Sequence, residues 1–153
     1  MLRKRIIPIL LIDKGDLVKT TNYKNSKYIG DPINAVKIYN EKKVDEIILL
    51  DITKSNNADK VNYNLLEDIA GECRMPFTYG GGISNLHQVK KIFSLGIEKI
   101  TLNTSIIQNY SLISDVAKLY GSQSVVVSVD IKKNLFGKYC LFNWKMKKFE
   151  KLS

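Results

Sequence analysis

Residues 77–95 read Phe-Thr-Tyr-Gly-Gly-Gly-Ile-Ser-Asn-Leu-His-Gln-Val-Lys-Lys-Ile-Phe-Ser-Leu: a short apolar run, three glycines, then a helix pattern over Leu86–Leu95 with Asn85 as N-cap. The same strand-then-helix unit recurs on both sides. Apolar runs at Ile6–Ile12, Ile47–Leu50, Phe77–Tyr79, Lys99–Leu102 and Val125–Val129 read as strands, and helix patterns cover Pro32–Lys43, Tyr63–Cys73 and Leu112–Tyr120. Asp31 before Pro32 marks one helix start and Ser111 another. The predicted order is βαβαβαβαβ, an α/β chain with right-handed crossovers and a parallel sheet. Continuous Ile, Leu and Val runs imply strands covered on both faces. By length and pattern alone, five strands make an open doubly wound sheet, since a closed eight-stranded barrel usually takes about 250 residues. In either architecture a ligand sits outside the carboxyl ends of the strands.

The chain has 153 residues, of which 44% are hydrophobic, with only three prolines, which describes one globular domain and excludes a disordered tail or a collagen-like chain. At this length burial of surface suffices for stability without a disulfide or a metal. Cys73 and Cys140 are far apart and form no CxxC pair, and His87 is the single histidine, so neither a disulfide framework nor a zinc site is expected. No cofactor is called for. The start, Met-Leu-Arg-Lys-Arg followed by Ile6–Ile12, has the outline of a signal peptide, but Pro8 interrupts the run and Asp13-Lys14 ends it. No other apolar run approaches the roughly 20 residues that span a bilayer, so a cytoplasmic protein without a membrane partner is expected.

The net charge is +9, and it is concentrated. From Lys132 to Ser153 there are seven lysines against the single acid Glu150, interleaved with Tyr139, Phe142, Trp144 and Phe149. Lysines with stacking rings can bind nucleic acid. There is no arginine among them and no recognised binding motif, so a solvated, lysine-rich, hairpin-like tail from about residue 132 is the preferred reading and no nucleic-acid partner is expected.

Three stretches carry candidate chemistry. Gly80-Gly81-Gly82 ends a strand and opens a helix, and glycines there let backbone N–H groups and a helix dipole approach a phosphate, as well as serving a tight turn. Leu102-Asn103-Thr104-Ser105 ends the next strand with neutral donors that would face the same rim. Asp13, Asp51 and Asp130 stand where strands emerge; a carboxylate there suits general acid or base work, and equally often just accepts from loop N–H groups. Lys19, in the long polar loop after the first strand, would clamp an anion.

Lys4-Arg5-Ile6-Ile7, Gly30-Asp31-Pro32, Leu50-Asp51-Ile52-Thr53, Gly80-Gly81-Gly82-Ile83, Leu102-Asn103-Thr104, Gly121-Ser122-Gln123 and Val129-Asp130, in this order, resemble the cyclase subunit of imidazole glycerol phosphate synthase, HisF, from residue 1 to about 135. The resemblance implies a (βα)8 TIM barrel rather than an open sheet. Residues 1–153 would then be a single truncated barrel domain holding strands one to five and helices one to four, with open edges that invite self-association. It further implies an activity in histidine biosynthesis: a glutaminase of the HisH type supplies ammonia through the barrel, and a bis-phosphorylated ribonucleotide is cleaved and cyclised at the carboxyl rim.

By resemblance, Asp130 is one of two acid/base aspartates. Lys19, Gly81, Gly82, Asn103 and Thr104 bind substrate phosphate, and Arg5, Glu46 and Lys99 belong to the gate through which ammonia enters. The partner of Asp130 in the family is an aspartate at the position of Leu11, and Ile9 stands where the family has a cysteine. Leucine moves no proton. Asp13 falls on the same strand face, about 6 to 7 Å further on. Two rival readings stay open: amidination of a sugar nucleotide for surface polysaccharide by the same delivered ammonia, and a non-catalytic half-barrel.

Overall fold

The computed structural model describes residues 3–21, 24–53, 61–143 and 147–149 of the chain. In order these form β1 (Ile9–Asp13), β2 (Asp16–Thr21), β3 (Lys24–Gly30), α1 (Pro32–Lys42), β4 (Ile47–Asp51), α2 (Tyr63–Glu72), β5 (Phe77–Gly80) and α3 (Leu86–Ser94). There follow β6 (Lys99–Leu102), α4 (Thr104–Gln108), α5 (Ser111–Tyr120), a 3₁₀ turn at Ser122–Ser124, β7 (Val125–Val127), β8 (Ile131–Lys133), β9 (Tyr139–Asn143) and β10 (Lys148–Phe149). Seven strands make one sheet in the order β3-β2-β1-β4-β5-β6-β7. Its centre is parallel, with β1, β4, β5, β6 and β7 side by side in chain order.

That monotonic order corrects the expectation of an open doubly wound sheet. A doubly wound sheet reverses its strand order once, and the reversal puts helices on both faces. Here each new strand joins the edge left by the last, so right-handed crossovers lay every helix against one face. Burial follows. Leu10, Ile12, Ile47, Leu49, Phe77, Tyr79, Ile100 and Leu102 are buried against Val36, Leu66, Ile69, Val89, Ile92, Leu112 and Val116 of the helices. The intervening residues are not covered alike: Ile9 is exposed, and Leu11, Ile48 and Leu50 are half-buried. Strands that read as covered on both faces are therefore covered on one and partly open on the other.

The first strand is shorter at its start than the run Ile6–Ile12. Pro8 has no N–H to give the ladder, and its carbonyl accepts from Ile48 N at 2.9 Å, while Ile6 is held by Asp45 through its own N–H at 2.7 Å. The long polar loop expected after it is a β-hairpin instead. Lys14 (φ 55°) and Gly15 (φ 92°) form a two-residue turn closed by the pair Asp13 and Asp16, with the left-handed backbone that favours tight hairpins.

Two helix starts behave as read, and Ser111 does not: it is the first residue of α5, whose N-cap position is Tyr110 and carries no side-chain cap. Asp31 accepts from Asn34 N at 2.8 Å and Asn85 from Gln88 N at 3.0 Å. Asn40 ties the end of α1 to the chain after α2, donating to the Glu72 carbonyl and accepting from Arg74 N. Residues 131–143 and 147–149 form a small antiparallel sheet apart from the main one, β10-β9-β8, around buried Phe142, whose ring meets Phe149 edge-on at 5.2 Å. Trp144, Lys145, Glu150 and Lys151 lie outside the described residues. Because Ile92 is wholly buried under the sheet, Ile92→Ala should lower stability by about 3 kcal/mol in chemical denaturation.

Candidate functional site

Polar groups gather at both ends of the parallel ladder, on the face the helices leave open. At the amino ends, Glu46 precedes β4 with its side chain buried. It accepts from Lys99 Nζ at 2.8 Å, from Thr78 Oγ1 at 2.8 Å and from Arg5 at 3.4 Å. Arg5, Glu46 and Lys99, 94 residues apart in sequence at the extremes, are thus brought to one point. Burial by itself raises the Glu46 carboxyl, but the hydrogen bonds from Lys99 and Thr78 and the two cationic charges outweigh it and hold the pKa below the ordinary 4.5.

At the carboxyl ends, Asn103 follows β6 and Asp130 lies three residues beyond β7. The Asn103 amide donates to Asp130 Oδ2 at 3.2 Å and to Ser128 Oγ at 3.4 Å, and its carbonyl accepts from Thr104 Oγ1 at 3.3 Å. The structure therefore joins Asp130 to Asn103 and Thr104, a pair that the sequence pointed to separately from it. Thr104 opens the short helix α4 rather than sitting in a plain loop. Gly82 and Asn103 each lie two residues past the last ladder pair of β5 and β6, Gly80 with Thr101.

The glycine turn has a packing reason as well. Gly81 has φ 137°, and a Cβ on it would stand 2.5 Å from the Asp51 carbonyl oxygen and 2.7 Å from Asp51 Cβ. The expected free N–H groups at the start of α3 are a correction. Gln88 Oε1 accepts from Ser84 N at 2.8 Å and Asn85 N at 3.3 Å, and Gln88 N is taken by Asn85, so a capping box uses these donors internally. An anion at this turn is therefore not met by the N–H groups of Ser84, Asn85 or Gln88.

Two of the three strand-end acids are engaged by neighbouring segments, one by β3 and one by the residues after β4. Asp13 accepts from Ser26 Oγ at 3.0 Å, and Asp51 from Thr53 N at 2.8 Å. Lys19 does not join the rim: it is exposed on β2 opposite Lys27, and β1, β4 and β5 stand between β2 and β6. Thr78 and Ser128 were not singled out from sequence, although their signal exists: each is a polar residue breaking an apolar strand. Buried Tyr79 carries a hydroxyl without a hydrogen-bond partner, and burial together with the Asp51 carboxylate pushes its pKa far up, which keeps it protonated. Among the described residues no group of three or more His, Cys, Asp or Glu could hold a metal, and no helix is long and apolar enough to cross a membrane.

A parallel α/β sheet with a polar rim at its strand ends and a glycine turn beside it defines a class of ligand-binding α/β proteins. The histidine biosynthesis protein family model matches residues 5–152, and the chain belongs to that family. It is 51% identical over 143 residues to the Pseudomonas aeruginosa protein named "Putative imidazole glycerol phosphate synthase subunit hisF2", a match that covers 94% of this chain and 57% of that one. It is 43% identical over 143 residues to imidazole glycerol phosphate synthase subunit HisF of Bacteroides thetaiotaomicron, with the same coverage of 94% and 57%. The chain spans about half the length of these relatives.

Two measurements follow from the geometry. Glu46→Gln leaves Lys99 with a neutral acceptor and should cost about 2 kcal/mol at neutral pH. Because the folded pKa of Glu46 lies below 4.5, its contribution is complete above that pH and is lost as pH falls through the folded value, so the gap between the two proteins in urea melts should close in acid. Gly81→Ala should cost at least about 2 kcal/mol from the contact with Asp51 and the left-handed backbone.

Proposed function

We propose that this chain is the amino-terminal part of a (βα)8 barrel of the imidazole glycerol phosphate synthase cyclase type, acting on a phosphorylated ribonucleotide with ammonia from a glutaminase subunit. One observation carries the reading: β6 links two polar sites, with Lys99 in the Glu46 cluster at its amino end and Asn103 bonded to Asp130 just past its carboxyl end. About 13 Å of extended chain separates the two. Between them stands Thr101, buried with an unpartnered hydroxyl. The Arg5–Glu46–Lys99 cluster admits ammonia, and the face not covered by helices is the interior of the barrel.

At the rim, Gly81, Gly82 and Thr104 hold a phosphate and Asp130 moves the proton. The Asn103 amide donates to the carboxylate and holds it at the rim, where it acts as a base. Lys19 reaches the substrate only when its hairpin folds over the rim. Leu11, paired with Leu50 on the open face, leaves the opposite side of the site without a proton carrier. That residue favours one second reading, in which the same ammonia amidinates a sugar nucleotide.

The test is ammonia-dependent turnover of the bis-phosphorylated formimino-aminoimidazole carboxamide ribonucleotide, supplied with ammonium salt. Leu11→Asp should raise the rate, and Asp130→Asn should lower it by about a hundredfold or more. Turnover indifferent to both changes would remove Asp130 from the chemistry. No turnover in any variant, with the missing strands added in trans, would favour the non-catalytic half-barrel.

A further inference from the structure

Among the described residues, the most exposed large apolar side chains sit together at the tip of the β8–β9 hairpin. Leu135 is 101% and Phe136 86% exposed. They are not on a loose loop. Asn134 Oδ1 accepts from Phe136 N at 2.9 Å and from Lys138 N at 3.0 Å, and Asn134 N donates to the Lys138 carbonyl at 2.9 Å. Gly137 closes the turn with φ 74° and donates to the Asn134 carbonyl at 3.0 Å. Two bulky side chains are thus held outward by a hydrogen-bonded turn.

Around this tip the small sheet is basic. It carries Lys132, Lys133, Lys138, Lys147 and Lys148, and residues 131–149 contain no acid. Lys132 Nζ lies 4.5 Å from the centre of the Phe142 ring and Lys133 Nζ 5.1 Å from that of Tyr139, contacts that position the two ammonium groups on the sheet. Exposed Ile131, Tyr139 and Phe149 add apolar surface behind the tip.

We propose that this hairpin docks on an anionic lipid surface, with Leu135 and Phe136 entering the headgroup layer and the lysines facing the lipid charges. Peripheral binding to a bilayer needs two signals, apolar insertion and a polybasic patch, and the hairpin supplies both on one rigid element. Charge complementarity chooses the occupant. Lysines meet nucleic-acid phosphates as readily as lipid headgroups, but bases stack on rings lining a groove, whereas here an aliphatic and an aromatic side chain project together from an exposed tip. No spanning helix is required. Docking is independent of the activity proposed above, and because β8 begins one residue after Asp130 it would turn the carboxyl rim toward the lipid.

The test is co-sedimentation of the 153-residue chain with vesicles of phosphatidylcholine alone, or of phosphatidylcholine and phosphatidylserine at roughly 2:1. Binding is expected only with phosphatidylserine and should weaken as salt is raised. Leu135→Ser with Phe136→Ser should reduce it at least about tenfold, and Lys133→Glu with Lys138→Glu by about tenfold or more. All four sites are exposed and outside the main core, so circular dichroism and melting should be unchanged. Binding that ignores the tip substitutions, or equal binding to both vesicles, would overturn the proposal. So would competition by a single-stranded oligonucleotide that survives the tip change, or a dimer in sedimentation velocity that the tip change dissolves.

Discussion

The parallel ladder from β1 to β7 decides which side of the sheet every residue faces. Leu11 stands beside Leu50, Leu50 beside Gly80, Gly80 beside Thr101 and Thr101 beside Val126, one row running across five strands on the open face. The neighbouring row lies under the helices. A slip of one residue in any strand would exchange the two rows, taking Thr78 and Lys99 away from Glu46 and Tyr79 and Ile100 out of the helix-side core. The helix-side core enforces the register, and the register builds both polar sites.

The amino-end cluster works against its own burial. A carboxylate such as Glu46 loses hydration that a single exposed ion pair would not restore. Three donors from three separate segments, Arg5 before β1, Thr78 on β5 and Lys99 on β6, make up that loss, so the cluster also ties these segments together. At the other end the geometry is looser. Asn103 uses one amide for Asp130 and Ser128 at 3.2 and 3.4 Å, distances that leave room for a ligand to take over one partner.

Much of this was legible in the chain itself, for identifiable reasons. Parallel strands announce themselves as runs of Ile, Leu and Val, and Asp31-Pro32 and Asn85 mark helix starts because their side chains can satisfy the first amides. Strands β2 and β3 were hidden because their residues, Asp-Leu-Val-Lys-Thr-Thr and Lys-Asn-Ser-Lys-Tyr-Ile-Gly, are mostly polar, and because the turn from β1 into β2 uses Lys14-Gly15 in place of the usual asparagine or aspartate before glycine. Length favoured a doubly wound sheet, and only strand order, which no local pattern contains, excluded the double winding. Among the site residues, family resemblance marked Glu46 and Lys99 individually, while the part of Thr78 depends on the β5–β6 register. Lys19 shows the reverse: right in type for an anion, it lies on a strand far across the sheet from Asn103.

The central claim is that a phosphorylated ligand rests on the rim where β5, β6 and β7 end. Amide chemical shifts during titration with a phosphorylated ribonucleotide test it most directly. The account predicts that the largest saturable changes fall on Gly81, Gly82, Asn103, Thr104 and the segment 128–130, with Asp51 and Thr53 moving less. Changes confined to the lysine hairpin, or spread evenly over the surface, would contradict it.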